Sequence, residues 1–105
     1  MAHPDVSVIV AVHNRQESLP LLLNALEQQS YPAARYEVIV ADNASTDSSI
    51  EVARSYAHGA PIRIRGTAVS SGGESAAKNQ AAQEAEGRWL LFLDQDLLPD
   101  ARFIE

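Results

Sequence analysis

Apolar positions along the chain fall in short runs whose period changes from one run to the next. Residues 6–12 (VSVIVAV) are rich in β-branched side chains and apolar on both faces apart from Ser7, the pattern of a strand covered from two sides. Leu19, Leu22, Leu23 and Leu26 then recur at helical spacing. Asn14 and Glu17 stand before them at capping-box spacing and Pro32 stands after, so a first helix is expected from an Asn14 cap to about Ser30. Residues 36–41 (YEVIVA) form a second strand-like run, and residues 42–47 (DNASTD) are a dense cluster of turn and cap formers leading into a second helix over 48–57. Gly59 and Pro61 close that helix. Residues 62–65 read as a third, weaker strand with alternating basic residues, nearer a sheet edge. Ser71 and Glu74 repeat the capping-box spacing. Ala76, Ala77, Ala81, Ala82 and Ala85 give the third helix a small-residue face that can approach a sheet closely, and Gly87 stops it. Residues 89–93 (WLLFL) are a last strand-length run that delivers the chain to Asp94-Gln95-Asp96.

The order is therefore βαβαβαβ, with crossovers long enough to be right-handed, and the solution is α/β: a parallel sheet with helices on both faces. The 105 residues fit one domain, 1–105, large enough to bury a core. At 46% hydrophobic and 21% charged the composition is globular, and no run reaches the length of a membrane span. Met1 to Asp5 is short and polar, without the basic and apolar regions of a secretion signal, so a cytoplasmic location is expected.

A net charge of −6 argues against nucleic acid or an anionic membrane as a partner reached by general electrostatics. A polyphosphate would need local help from a divalent cation, a lone base or a helix N-terminus. The absence of cysteine excludes disulfides, thiolate nucleophiles and cysteine metal sites.

In an open parallel sheet, ligands bind beyond the carboxyl ends of the strands, and that is where the polar residues collect. His13 and Asn14 follow the first strand, Asp42 and Asn43 the second, Asp94 and Asp96 the fourth. The Asp94-x-Asp96 pair suits a hard cation, Mg²⁺ or Mn²⁺, with diphosphate oxygens and water completing its shell; taken alone, it equally suits a solvated loop ending a buried strand. Asp42 and Asn43 can hydrogen-bond a base or ribose, although the same string is good loop and cap chemistry. His13 offers a ring for stacking or is a passive surface residue, and Asn14 is most simply the cap of the first helix. Lys78, the one lysine, lies a turn into a helix whose N-terminus faces the same rim; it is either a phosphate contact or a solvated helical residue. The leucine stripe and the alanine face read as core.

Together, the runs SVIVAVHNRQESLPLLLNALEQQSYP, YEVIVADNASTDSS and GESAAKNQAAQEAEGRWLLFLDQDLLPDARFIE resemble the N-terminal half of family 2 glycosyltransferases of the GT-A fold, over nearly the whole chain. The joint spacing of the motifs is more specific than any one of them. The resemblance implies a three-layer α/β/α, Rossmann-like parallel sheet of about four strands in the order 3-2-1-4, a truncated GT-A fold. It implies a nucleotide-diphosphate sugar as ligand, most often a uridine one, with Mg²⁺ or Mn²⁺. The turn through Val12, His13 and Asn14 would hold the base, Asp42 and Asn43 would read the base edge and ribose, and Lys78 would lie near the diphosphate where Arg is usual. Asp94 would meet ribose or metal, and Asp96 would be the principal metal ligand. Ala11 departs from a usual Pro, and Asn43 from the second Asp of the commoner Asp-Asp-Gly-Ser form, which leaves the donor open.

For a complete enzyme the resemblance implies inversion at the anomeric carbon, with a carboxylate deprotonating the acceptor. The family's acceptor-binding half and that carboxylate come after the D-x-D region, so the expectation for this chain alone is donor binding without useful transfer, and no catalytic residue is assigned. Self-association is expected through apolar surface at the edge around residues 89–93. The alternative is a non-enzymatic α/β interaction module that keeps the scaffold with its acidic rim unliganded. Nucleotidyl transfer is disfavoured by the lack of a glycine-rich basic signature after the first strand.

Overall fold

The computed structural model describes residues 4–14, 17–47, 49–60, 62–70, 73–94 and 104. Four strands, β1 (Val6–Val12), β2 (Tyr36–Asn43), β3 (Arg63–Val69) and β4 (Trp89–Asp94), form one parallel sheet in the order β3-β2-β1-β4. Three α-helices connect them: α1 (Leu19–Glu27), α2 (Ser49–Gly59) and α3 (Gly73–Glu84). The three-layer arrangement expected from the sequence is the observed one.

Alternation along β1 divides the core in two. Val6, Val8, Val10 and Val12 face the layer of α1 and α2, meeting Leu19, Leu22, Leu23, Leu26 and Ala53. Ile9 faces α3 and packs with Ile39, Ala41, Ala77 and Ala81. The four leucines of α1 are all buried, and each contributes about 1.5–3 kcal/mol of apolar burial. On α3 only Ala77 and Ala81 are fully buried, which confirms the close approach of a small-residue face to the sheet.

Several boundaries differ from the pattern reading. α1 begins at Leu19, with Ser18 at its N-cap and Pro20 in its first turn, and ends at Glu27 rather than near Ser30. Asn14 does not cap it, because its side chain is engaged elsewhere. β3 runs on through Gly66 to Val69, beyond the expected 62–65, because its outer residues pair in register with the end of β2. At Gly66 α2 packs close on the strand: a Cβ there would stand 2.6 Å from Ile50 Cδ1, the movable end of that side chain. α3 ends at Glu84, and Gly87 has a different task from stopping it. A Cβ on Gly87 would lie 2.6 Å from the Ser7 backbone nitrogen, and the Gly87 N–H donates to Ser7 Oγ at 2.9 Å. Ser71 of the proposed second capping box, and Ser48 and Pro61 at the ends of α2, lie outside the described residues.

The amino ends of the strands carry a polar cluster that the hydrophobic pattern did not disclose. Glu37 is fully buried in β2; its Oε2 accepts from Ser7 Oγ at 2.6 Å and from the Glu86 N–H at 2.8 Å, and its Oε1 accepts from Arg65 Nη2 at 3.0 Å. Arg65 Nη2 also donates to the Glu84 carbonyl at 2.6 Å, holding the last turn of α3. A buried carboxylate is tolerable only when paired and bonded in this way. The cluster fastens the α3–β4 turn at the end of the sheet away from the polar rim.

Candidate functional site

The register sets the rim. Val12 stands beside Asp42, Asp42 beside Ala68, Asn43 beside Val69, and Ala11 beside Asp94, so the carboxyl ends of all four strands finish at one level. Val12 is buried at the end of β1 and forms part of the floor under the turn that follows.

Beyond Val12 the chain turns sharply. Asn14 has φ +51°, a left-handed conformation in which asparagine is better tolerated than most residues. Its side-chain Oδ1 accepts from the Thr46 N–H at 2.8 Å, from Thr46 Oγ1 at 3.3 Å and from the Asp47 N–H at 3.3 Å, and its own N–H donates to Ser45 Oγ at 2.9 Å. Asn14 is therefore a clamp between the turns after β1 and β2, not a helix cap. The reason is local: with a left-handed backbone, its amide points across to the neighbouring loop rather than along α1. Asp47, which the clamp holds by its N–H, in turn accepts from the Ser49 N–H at 3.0 Å and so satisfies the first N–H of α2.

His13 joins the same bridge. Its Nδ1 donates to the Asn43 carbonyl at 2.6 Å, and Asn14 Nδ2 lies 3.3 Å from Nε2. A carbonyl can only accept, so Nδ1 is the donor in that bond, and Nε2 faces the Asn14 amide. The imidazole is exposed and fixed in orientation, as a stacking surface would need to be.

Asp42 is 4% exposed at the end of β2. Its Oδ1 accepts from Ser45 Oγ and its Oδ2 from the Ser45 N–H at 3.3 Å. An ionised carboxylate has about four lone-pair sites, so these two bonds fix its orientation and leave capacity for a ligand donor. Asp42 also borders an open hollow of ≈ 550 Å³ lined by Ala44, Ser45, Ile50, Ala68, Val69 and Ser70. Ala44, at φ +48°, donates its N–H to the Val69 carbonyl at 2.9 Å and closes the side of the rim nearest β3. In the sequence Ser45, Thr46 and Asp47 read only as turn and cap formers. The Asp-x-x-Ser spacing was the available sign of a turn in which a carboxylate is held by a serine.

Lys78 is on α3, whose N-terminus follows the carboxyl end of β3. Its Nζ lies 3.6 Å from Glu74 Oε2 and 5.9 Å from the centre of the Phe92 ring. Its ammonium therefore sits on the α3 side of β4, two residues before Asp94, and it shares none of the hydrogen bonds that join His13, Asn14 and Asp42. Asp94 is the last residue of β4, while Asp96 lies outside the described residues. Among the described residues, no group of three or more His, Cys, Asp or Glu could hold a metal ion. The Asp42 carboxylate is turned to Ser45. No helix among the described residues is long and apolar enough to cross a membrane.

Comparison with known proteins agrees with this fold. The family model "Glycosyl transferase family 2" matches residues 7–105. Poly(ribitol-phosphate) beta-N-acetylglucosaminyltransferase TarS of Staphylococcus aureus (strain Mu50) is 34% identical over 90 residues, covering 86% of this chain and 16% of the relative. The crystal structure of S. aureus TarS 1–349 in complex with UDP-GlcNAc superposes with a TM-score of 0.75 at 34% identity, over 88% of this chain and 26% of that one. The mannosyltransferase PcManGT from Pyrobaculum calidifontis, in complex with GDP-Man and Mn²⁺, gives a TM-score of 0.85 at 30% identity, over 95% of this chain and 30% of its own. The chain thus spans less than a third of the length of each of these proteins.

Proposed function

Because the chain belongs to glycosyl transferase family 2, we propose that its carboxyl rim is the donor site of a sugar transferase and takes a nucleoside diphosphate sugar, a uridine one, together with Mg²⁺ or Mn²⁺. The observation that carries the reading is the clamp at Asn14, which locks the turns after β1 and β2 together and holds His13 and Asp42 in fixed orientation on one rim. Asp42 and Ser45 line the hollow and His13 stands on the rim outside it; preorganised polar groups at one rim are what a ligand with a planar base requires. The UDP-GlcNAc complex of TarS supports the uridine donor, and the GDP-Man complex of PcManGT supports the cation.

In this reading His13 lies against the base, Asp42 and Asn43 accept from and donate to the base edge and ribose, and Lys78 stands toward the diphosphate on the α3 side. Asp94 and Asp96 would hold the cation, which would supply positive charge beside the diphosphate leaving group. The acidic rim, with Asp42, Asp47 and Glu74, makes that charge necessary. Transfer, with inversion, belongs to the longer polypeptides, and no residue here is assigned as the base that deprotonates an acceptor. Alone, the chain is expected to bind donor without useful turnover, and to associate with a second copy through the outer side of β4.

Calorimetric titration of UDP with and without Mn²⁺, repeated on Asp96→Ala, tests the donor site. Binding should tighten with Mn²⁺ in the native chain, and the tightening should vanish in the variant. Absence of UDP binding under both conditions would overturn the reading and leave a scaffold kept as an interaction module.

A further inference from the structure

Ser45 stands between the two turns of the rim and is bonded to both. The Asn14 N–H donates to Ser45 Oγ at 2.9 Å, Ser45 Oγ bonds Asp42 Oδ1, and the Ser45 N–H donates to Asp42 Oδ2 at 3.3 Å. The direction of the middle bond follows from its neighbours. A backbone N–H can only donate, so the hydroxyl oxygen accepts from Asn14 and its single hydrogen goes to the carboxylate, which when ionised can only accept. Hydrogen bonds joined head to tail polarise one another, and these run from the turn after β1 to the end of β2. Asp42 is 4% exposed and lines the hollow beside Ser45, so the acceptor sites left on its two oxygens are fixed in direction at the border of that hollow.

A carboxylate held at both oxygens and one free to turn select differently among bases. Uracil and guanine carry an imino N–H on their pairing edge; cytosine has a bare ring nitrogen at the same place, with an amino group beside it. A carboxylate free to turn can meet the imino N–H of uracil or swing to the amino group of cytosine. One held in place meets the imino N–H but faces the lone pair of the cytosine nitrogen. Two opposed acceptors are then left without a donor, at a cost that grows as water is excluded.

We propose that Ser45 is a positioning residue for base selection: it holds the Asp42 carboxylate so that the rim takes nucleotides whose base carries an imino N–H and rejects cytidine nucleotides. The role rests on the donor-site reading above, in which Asp42 meets the base edge. UDP and CDP share ribose and diphosphate, and their rings stack alike, so His13, Lys78 and a cation contribute equally to both. Their affinity ratio isolates the contact that Ser45 controls, whereas a merely structural role would weaken the two together.

The test is calorimetric titration of UDP and of CDP, each with Mn²⁺, into the native chain, Ser45→Ala, Ser45→Cys and Ser45→Thr. The native chain should prefer UDP by about tenfold or more, as a hydrogen bond to a charged group allows. Ser45→Ala removes the hydroxyl and Ser45→Cys replaces it with a weak donor of similar size, so both should bring the two affinities within about threefold. Two such variants keep the result from depending on one of them folding well. Ser45→Thr keeps the hydroxyl and should keep the native preference. A ratio unchanged in both Ser45→Ala and Ser45→Cys, or one that Ser45→Thr loses with them, overturns the role. A native chain that binds UDP and CDP equally overturns it while leaving nucleotide binding at the rim intact, and a native chain that binds neither overturns the donor-site reading and this role with it.

Discussion

Among the described residues, two non-glycine residues with positive φ flank the rim, and they differ in what they receive for it. Asn14, at φ +51°, receives a clamp: its Oδ1 is shared by the Thr46 hydroxyl and the N–H groups of Thr46 and Asp47. Ala44, at φ +48°, has no side-chain polar group to contribute, and its N–H bond to Val69 is made by backbone alone. Left-handed backbone costs an L-residue about 1–2 kcal/mol, and glycine escapes most of that cost. Ala44→Gly is therefore expected to stabilise the chain by about 1 kcal/mol, and Asn14→Ala, which keeps the strained backbone and loses the clamp, to destabilise it by about 2 kcal/mol or more. Urea denaturation of the two variants would show midpoints moving in opposite directions; movement in the same direction would refute the assignment. The sequence showed Asn14 as a polar residue after a strand, but not its backbone angle, and the cap reading failed for that reason.

At the scale of elements, the amino ends of the strands and the end of α3 are joined by carboxylates held in their charged form. Hydrogen bonds from Gln80 and Thr67 hold the Glu84 carboxyl below its ordinary value, and those from Tyr31 and Arg35 do the same for Asp5. A carboxyl whose folded value is depressed supplies stability that is present above its unfolded value and lost as pH falls through the folded one. Stability should thus be maintained from neutral pH down to about pH 5 and decline below it, through and beneath the ordinary carboxylate values near 4. Thr67→Val, which deletes the 2.7 Å bond to Glu84 Oε2, should make the decline shallower. Unfolding midpoints compared at pH 7 and pH 4 check this, and a variant as acid-sensitive as the native chain would count against it. Pattern reading gave every strand and α-helix its type and order, and passed over the short 3-10 turn at Ala33–Arg35. It missed that β3 continues to Val69 and that Gly87 makes a close approach, since both depend on which strand lies alongside.

For the molecule as a whole, the sheet ends in β4, which among the described residues pairs only with β1. Trp89, Leu90 and Phe92 are 66%, 39% and 52% exposed, a cluster of large apolar residues on an open strand edge. Such an edge is a template for further pairing, and its natural occupant in a solution of this chain is a second copy. Sedimentation velocity should show reversible association that grows with concentration. Phe92→Glu, which puts a charge on the edge within reach of Lys78, should weaken it. A native chain that stays monomeric at high concentration would end the proposal.

The sequence by itself determined the alternation of strands and helices, the two core faces and the family, because hydrophobic period and motif spacing are local properties of the chain. The residues of the rim could also be named from it, since ligands of parallel sheets collect where strands end. Only the tertiary structure decided how those residues are held. It makes Asn14 a clamp between two loops, turns Asp42 to Ser45, and sets Lys78 over Phe92. Each of these contacts, apart from the local bond between Asp42 and Ser45, links residues distant in the chain. Their geometry follows from register, backbone angle and packing, none of which is encoded at a single position.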